Sequence, residues 1–437
     1  MSHNYKWDSK KTELIFLILI FVFYLLWALV IPFGEGPDEL MRYDIPKFLC
    51  KYGFIPHGED PRIRNEIWGT SYAFSPILSY MISAVLMKIT SFFTNENQYL
   101  IIAARIASCL FSTGTAFFCL KIGNKLLTKK LKWLFVFFVT LLPQFAFISS
   151  YVNCDAIAVF AVAWLIYGLI LGTERVWDFR SCAFLGAGIG ICLLTYYNTY
   201  GIILVIIIYC ILNVLLNKDI KNKFRFILMR FLFVFAVSFL IAGWWFIRNY
   251  IIYDGDILGR STARYYAEMF AVESLKPSNR MTPLKLGYTL KYMLIDLNWI
   301  KLTCRSFFGV FGRMTIFLND KIYYIYYTIF LSGLFGTFIK NRTRNKKFYL
   351  LYLCMITMCI ITIGISIYYS FTSDMQPQGR YCFPMLIPLC YLITLGLDNI
   401  FNKLRGRFKI LTLYSLYFCL FSLSLYSLFF VVIPIYY

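Results

Sequence analysis

The stretch FGEGPDELMRYD, residues 33–44, puts Glu35, Asp38, Glu39 and Asp44 into ten positions, directly after twenty uncharged residues, Leu14 to Phe33. A carboxylate beside a bilayer is costly unless it is paired or used, and one in use can serve as a general base. Asp38 and Glu39, adjacent after a Gly/Pro turn, are the leading candidates. Other chemistry-bearing residues also sit at the ends of apolar runs. SSYVNCDAIA carries Asp155, and SDMQPQGRYCFP carries Gln378, Arg380 and Tyr381. Arg260 lies in the GRS and Arg305 in the CRS of a long polar segment. Guanidinium groups hold phosphate by paired hydrogen bonds, so Arg380, Arg260 and Arg305 are candidates for binding a donor phosphate. Gln378, Tyr381 and Trp68 are candidate substrate-binding residues, and Tyr72 and Trp299 could pack against sugar faces. Together these groups fit transfer from a phosphate-bearing lipid to a hydroxyl. A base takes the proton of the attacking hydroxyl, and guanidinium stabilises the phosphate as it leaves.

The elements that must position these residues are membrane spans. Of 437 residues, 60% are hydrophobic and 15% charged, against about 25% charged in soluble domains. Mean hydropathy is +0.66. The net charge of +21 reads as topology-setting Lys and Arg in cytoplasmic loops, not as nucleic-acid binding. Most of the thirteen cysteines lie inside apolar runs, where a free thiol behaves as a small hydrophobe. Only two histidines, His3 and His57, occur, too few for a His-ligated metal cluster or for an intramembrane histidine acyl-transfer site. The N-terminal apolar run lacks the short core and small-residue cleavage site of a secretory signal and reads as a retained span.

Basic connections at 121–132, 174–180, 218–230, 340–347 and 403–409, with Lys6, Lys10 and Lys11, are placed in the cytoplasm. That choice predicts about eleven transmembrane helices: 14–33, 100–120, 133–150, 156–173, 181–197, 200–217, 231–247, 322–339, 348–369, 383–400 and 410–433. It makes segment 77–94 a surface-lying helix, lets Arg105 snorkel from the outer end of its span, and puts a hairpin at YYNTYG, 196–201. The fold class is an all-α integral membrane protein: a single polytopic domain over 1–437, with no separate soluble domain. Its N-terminus is cytoplasmic, and its two long external loops, 34–99 and 248–321, carry the polar residues.

The pattern resembles the GT-C superfamily, integral membrane glycosyltransferases that take sugars from polyprenyl-phosphate donors. The PDE at 37–39 is similar to the Asp-Glu motif of its protein O-mannosyltransferase-like branch, and WWFIRNYIIYDGDILG, 244–259, resembles the opening of its later external loop. A narrower resemblance is to a bacterial multispan family with PPDEPAH, N-x-D and GRYFxP motifs, met here by GPDELMR, NCD and GRYCFP. The family's His falls at Arg42, a departure that makes Arg42 a candidate substrate-binding residue. The resemblance implies inverting transfer of a monosaccharide from a polyprenyl-phosphate-linked sugar to a cell-surface glycan acceptor at the outer face of the plasma membrane. It implies Asp38 as base, Glu39 as the group that orients the acceptor, and Asp155 as a second acidic group. Some branches hold a divalent metal (Mg or Mn) there and others need none, so metal need stays open. It also implies a partner that makes or flips the donor. The alternatives are a polymerase or ligase using lipid-linked oligosaccharide, and a flippase or transporter for lipid-linked sugars. Abundant Phe, Tyr, Ile, Lys and Asn point to a low-GC genome, and by association to wall polysaccharide or another surface glycan.

Overall fold

A computed structural model describes residues 2–339, 348–404 and 406–437, with side chains from Lys10 onward. The basic connection 340–347 (Lys340, Arg342, Arg344, Lys346, Lys347), Arg405 and the side chain of Lys6 lie outside the described residues. The helices are α1 (Ser2–Val30), α2 (Glu39–Tyr52), α3 (Leu78–Ser91), α4 (Asn97–Leu126), α5 (Lys129–Thr140), α6 (Pro143–Ile148), α7 (Asp155–Glu174), α8 (Phe179–Leu193), α9 (Tyr200–Leu216), α10 (Lys223–Ile252), α11 (Arg260–Phe270), α12 (Leu290–Ile295), α13 (Trp299–Phe308), α14 (Asp320–Thr337), α15 (Tyr349–Thr372), α16 (Leu386–Phe401), α17 (Gly406–Tyr426) and α18 (Ile433–Tyr436). One short antiparallel hairpin, β1 (Val310–Phe311) and β2 (Ile316–Phe317), pairs Val310 with Phe317.

Among the described residues, eight helices are long and apolar enough to cross a membrane. Their outward faces are bare apolar side chains: Phe418 and Phe430 near the C-terminus and Leu240 on α10 are over 70% exposed, as lipid-facing positions must be. The chain is a multi-pass membrane protein. Helices also occupy the other three expected spans, with differences that have local causes. Span 133–150 is broken between α5 and α6, because Pro143 has no N–H to donate and its ring disfavours helix at Leu142. Span 181–197 is the 15-residue α8. Span 322–339 is α14, whose first two turns hold Asp320, Lys321 and four tyrosines and so fall short in hydropathy. The hairpin expected at 196–201 is there, a single 3-10 turn at Tyr197–Thr199 between α8 and α9.

Helix α3 packs against α4: the Ser83 hydroxyl donates to the Ala104 carbonyl at 2.9 Å. α14 and α16 cross through glycines. A Cβ on Gly336 would stand 2.1 Å from the Gly396 carbonyl oxygen, and one on Gly396 would stand 1.8 Å from that of Gly333. Close backbone approach through small residues is a main source of helix adhesion where lipid replaces water. The largest core gathers Tyr24, Trp27, Phe135, Phe145 and Phe147 between α1, α5 and α6. A second core, with Tyr43, Phe48, Tyr80 and Trp245, lies beneath the long loops.

Those loops dock on each other. The Val272 N–H donates to the Ile67 carbonyl at 3.1 Å, Arg248 Nη2 to the Pro56 carbonyl at 2.7 Å, and the Gly58 N–H to the Tyr253 hydroxyl at 3.1 Å. Gly69 sits against Ala271 so closely that a Cβ would lie 2.2 Å from the Ala271 nitrogen. The two loops therefore form one cap over the helix ends.

Candidate active site

The acidic stretch turns sharply before α2 begins. Gly34 has φ 88°, and Gly36 lies flat on the Tyr151 ring, where a Cβ would come within 2.4 Å. Asp38, the residue before α2, has φ 62° and ψ 9°, a left-handed conformation that non-glycine residues seldom adopt and that clusters at functional sites. Its side chain does not cap α2. It turns instead toward two arginines.

Arg380 Nη2 donates to Asp38 Oδ2 at 2.8 Å, and Arg42 Nη2 stands 3.6 Å from the same oxygen. Both guanidiniums also reach Asp155 Oδ2, Arg42 Nη1 at 3.7 Å and Arg380 Nη1 at 4.0 Å. Two carboxylates and two guanidiniums thus alternate around one centre. Asp38 comes from the α1–α2 turn and Arg42 from the first turn of α2. Asp155 opens α7, and Arg380 sits in the 3-10 turn before α16. Arg42, Asp155 and Arg380 are buried, whereas the Asp38 side chain keeps a third of its surface open. Asp38 is therefore the group a ligand can reach.

Aromatic rings wall the cluster. Arg42 lies over the Tyr72 ring at 4.6 Å and Arg380 over Tyr381 at 5.0 Å. The Tyr381 hydroxyl accepts from Arg380 Nη2 at 3.1 Å. Burial alone would push the Asp38 carboxyl up, but Arg380 and then Arg42 overcome it and hold it at about 2. Burial raises the Tyr72 hydroxyl, so it stays neutral. The hydrogen bonding is incomplete: Arg42 Nε, Arg380 Nε and Nη1, Asp155 Oδ2 and the Tyr151 hydroxyl are buried with no hydrogen-bond partner. Such groups are costly. Three are guanidinium donors converging beside Asp38, a set that an anion rich in acceptor oxygens would complete.

Glu39 corrects one expectation. It is fully buried and spent: Arg105 Nε and Nη2 each bond it at 2.7 Å, and the Gly34 and Val152 N–H groups donate to it at 2.9 and 3.2 Å. No face of it is open to orient an acceptor. Arg105 is corrected with it. It does not snorkel but is buried, and it also bonds the carbonyls of Ala28, Ile31 and Pro32 at the end of α1. An arginine in the apolar run IIAARIASC is itself a sign of a buried partner. The pair ties α1, α2 and α4 together one residue away from Asp38.

The other expected site residues spread outward. Arg305 does not join the cluster, being paired with Asp320 at 2.7 Å. Arg260 lies over the Tyr197 ring at 5.9 Å. Trp68 is stacked beneath Arg280 at 4.9 Å in the loop cap, and Gln378 donates to Gln376 at 2.6 Å. Tyr151 and Cys154, both at the cluster, were not anticipated. The Cys154 thiol accepts from Arg42 Nη1 at 2.9 Å. Among the described residues no three His, Cys, Asp or Glu side chains converge as a metal would require. Arg42 and Arg380 occupy the space between the two aspartates, so the residues present do not fit a divalent cation there.

No protein-family model matches the chain, and no curated protein sequence matches it. Solved structures do. ArnT from Cupriavidus metallidurans bound to undecaprenyl phosphate superposes with a TM-score of 0.55 at 14% identity, over 90% of this chain and 61% of that one. The oligosaccharyltransferase of Archaeoglobus fulgidus in the apo form gives 0.59 at 13% identity, over 96% and 56%. The oligosaccharyltransferase AglB from Archaeoglobus fulgidus in complex with an inhibitory peptide and a dolichol-phosphate gives 0.54 at 14%, over 96% and 56%. The chain thus spans about three fifths of the length of the structures it matches. At these identities the likeness establishes architecture alone, and that architecture is the GT-C-like membrane fold.

Proposed function

We propose that the protein is an inverting glycosyltransferase that moves a monosaccharide from a polyprenyl-phosphate donor to a hydroxyl of a cell-surface glycan acceptor. The observation that carries this reading is the set of guanidinium N–H groups on Arg42 and Arg380 without hydrogen-bond partners, beside Asp38, the accessible carboxylate of that cluster. The likeness to ArnT with undecaprenyl phosphate bound supports a lipid phosphate as the anion.

In this reading the donor phosphate settles on Arg380 and Arg42 and draws their charge away from Asp38. A carboxyl held near 2 is a weak base. Once its guanidinium partners turn to the phosphate, it rises toward its ordinary value and can accept a proton. The acceptor hydroxyl attacks the anomeric carbon as its proton passes to Asp38. The bond from that carbon to the phosphate oxygen breaks with inversion, and polyprenyl phosphate leaves as an anion held by the two arginines. Asp155 keeps both guanidiniums aimed, and Glu39 with Arg105 fixes the turn that presents Asp38. No step passes through a metal. The site faces the outside of the plasma membrane, and an enzyme that makes or flips the donor supplies it.

The test is release of free polyprenyl monophosphate from a polyprenyl-phosphate sugar by purified protein with a cell-envelope acceptor. Release of polyprenyl diphosphate from an oligosaccharide donor would instead establish the polymerase or ligase reading, which the likeness to an oligosaccharyltransferase favours. Lipid translocation that persists without Asp38 would make the protein a transporter.

A further inference from the structure

Helices α8, α9 and α10 enclose an apolar trough of about 440 Å³ that the proposed transfer does not use. Its α10 wall is a stripe at helical spacing that includes Ile227, Val234, Ser238 and Phe246. Ser238 is no polar foothold there, because its hydroxyl donates to the Gly186 and Val234 carbonyls at 2.9 and 2.8 Å. The one charged side chain in the lining is Arg230. Its Nε donates to the Trp177 carbonyl at 2.8 Å and its guanidinium lies 3.8 Å over the Phe179 ring. Arg230 lies near the start of α10, where the α7–α8 and α9–α10 connections carry Arg175, Lys218 and Lys221 and the first turns of α8 and α10 carry Arg180, Lys223 and Arg225.

This basic end is far from the catalytic cluster. Arg230 and Arg248 lie eighteen residues apart on α10, about 27 Å along its axis. Arg248 bonds the Pro56 carbonyl of the loop that carries Asp38. A lipid whose phosphate sits at Asp38 therefore cannot also place it at Arg230. At about 30 Å³ for a water-sized group, the trough holds roughly fifteen such groups, the size of one acyl chain.

We propose that the trough binds one acyl chain of an anionic glycerophospholipid, with its headgroup phosphate against Arg230 and the flanking basic connections. The site is independent of the transfer reaction and stands or falls separately from it. The experiment is native mass spectrometry of the full chain after exchange into vesicles of mixed phosphatidylcholine and phosphatidylglycerol. One retained phosphatidylglycerol per protein is expected. Retention should fall about fivefold in Arg230→Gln, the effect of one basic residue at an anionic surface. It should fall similarly in Ile207→Trp, which fills the trough, and should survive in Arg230→Lys. Equal retention of the two lipids, or retention unchanged in Arg230→Gln, would overturn the proposal. So would a polyprenyl phosphate retained in a manner sensitive to Ile207→Trp.

Discussion

Arg380 Nη2 donates to Asp38 Oδ2 at 2.8 Å across 342 residues of sequence. The bond brings the first loop onto the turn before α16 and leaves the most accessible carboxylate of the cluster under the control of an arginine. Asp38→Asn should keep this contact through the amide oxygen while removing the proposed base. Transfer should fall by about 10²–10⁴-fold in a protein that still folds, with a lower unfolding temperature near neutrality. Full activity in that variant would remove Asp38 from the chemistry.

Arg380→Lys keeps the charge but loses the planar fork that serves Asp38, Asp155 and a phosphate together. One lost charged hydrogen bond, about 1.5–3 kcal/mol, predicts a fall in kcat/KM of roughly 10- to 100-fold. A variant with wild-type kcat/KM for the lipid donor would show that the phosphate lies elsewhere.

The two rate constants should differ in pH dependence. In the free protein Asp38 is held at about 2, so kcat/KM should show no acid limb from this group near neutrality. If the donor phosphate takes up the guanidiniums as proposed, the acid limb of kcat should move upward. Identical profiles for both constants would contradict release of Asp38 by the donor.

The same shift makes a stability statement. The folded value lies below the unfolded one of about 3.9, so the ionised Asp38 stabilises the fold fully above that range. The contribution is lost as pH falls toward 2. The difference in unfolding temperature between wild type and Asp38→Asn should be constant from pH 7 to about 5 and narrow in more acid solution. A gap that widens on acidification would reverse the sign.

Glu39→Ala should behave as a folding defect. It leaves Arg105 buried without its carboxylate, a loss of about 3–5 kcal/mol, and expression should drop. Replacing both residues together, as Glu39→Leu with Arg105→Leu, should recover part of that loss. Normal stability of Glu39→Ala combined with a raised KM for acceptor would return Glu39 to the substrate.

Much of the site was legible because charge stands out against apolar sequence. Asp38, Asp155 and Arg380 each flank a hydrophobic run, and the structure brings them together. What could not be read was which charges neutralise one another. Arg305 looks as suitable for phosphate as Arg380 until Asp320 is seen beside it. Glu39 looks as catalytic as Asp38, yet it points to the other side of the turn, where Arg105 takes up both its oxygens. The left-handed conformation of Asp38 separates the two neighbours; Asp tolerates it better than most residues but does not require it, so the sequence alone does not announce it. The break at Leu141–Leu142 had its signal in Pro143, but hydropathy alone reads across it.

The cluster's origins in the chain also set an order of assembly. Glu39 and Arg105 are 66 residues apart and can close as soon as α4 joins α1, so the turn bearing Asp38 is shaped early in synthesis. Its controlling arginine arrives only with the turn before α16. A ribosome-bound chain stopped before residue 374 should thus hold a protected α1–α4 unit and yet fail to bind lipid phosphate. On the proposed reading, the site is armed only once that turn has been made, and a chain lacking it holds Asp38 without the arginine that controls it.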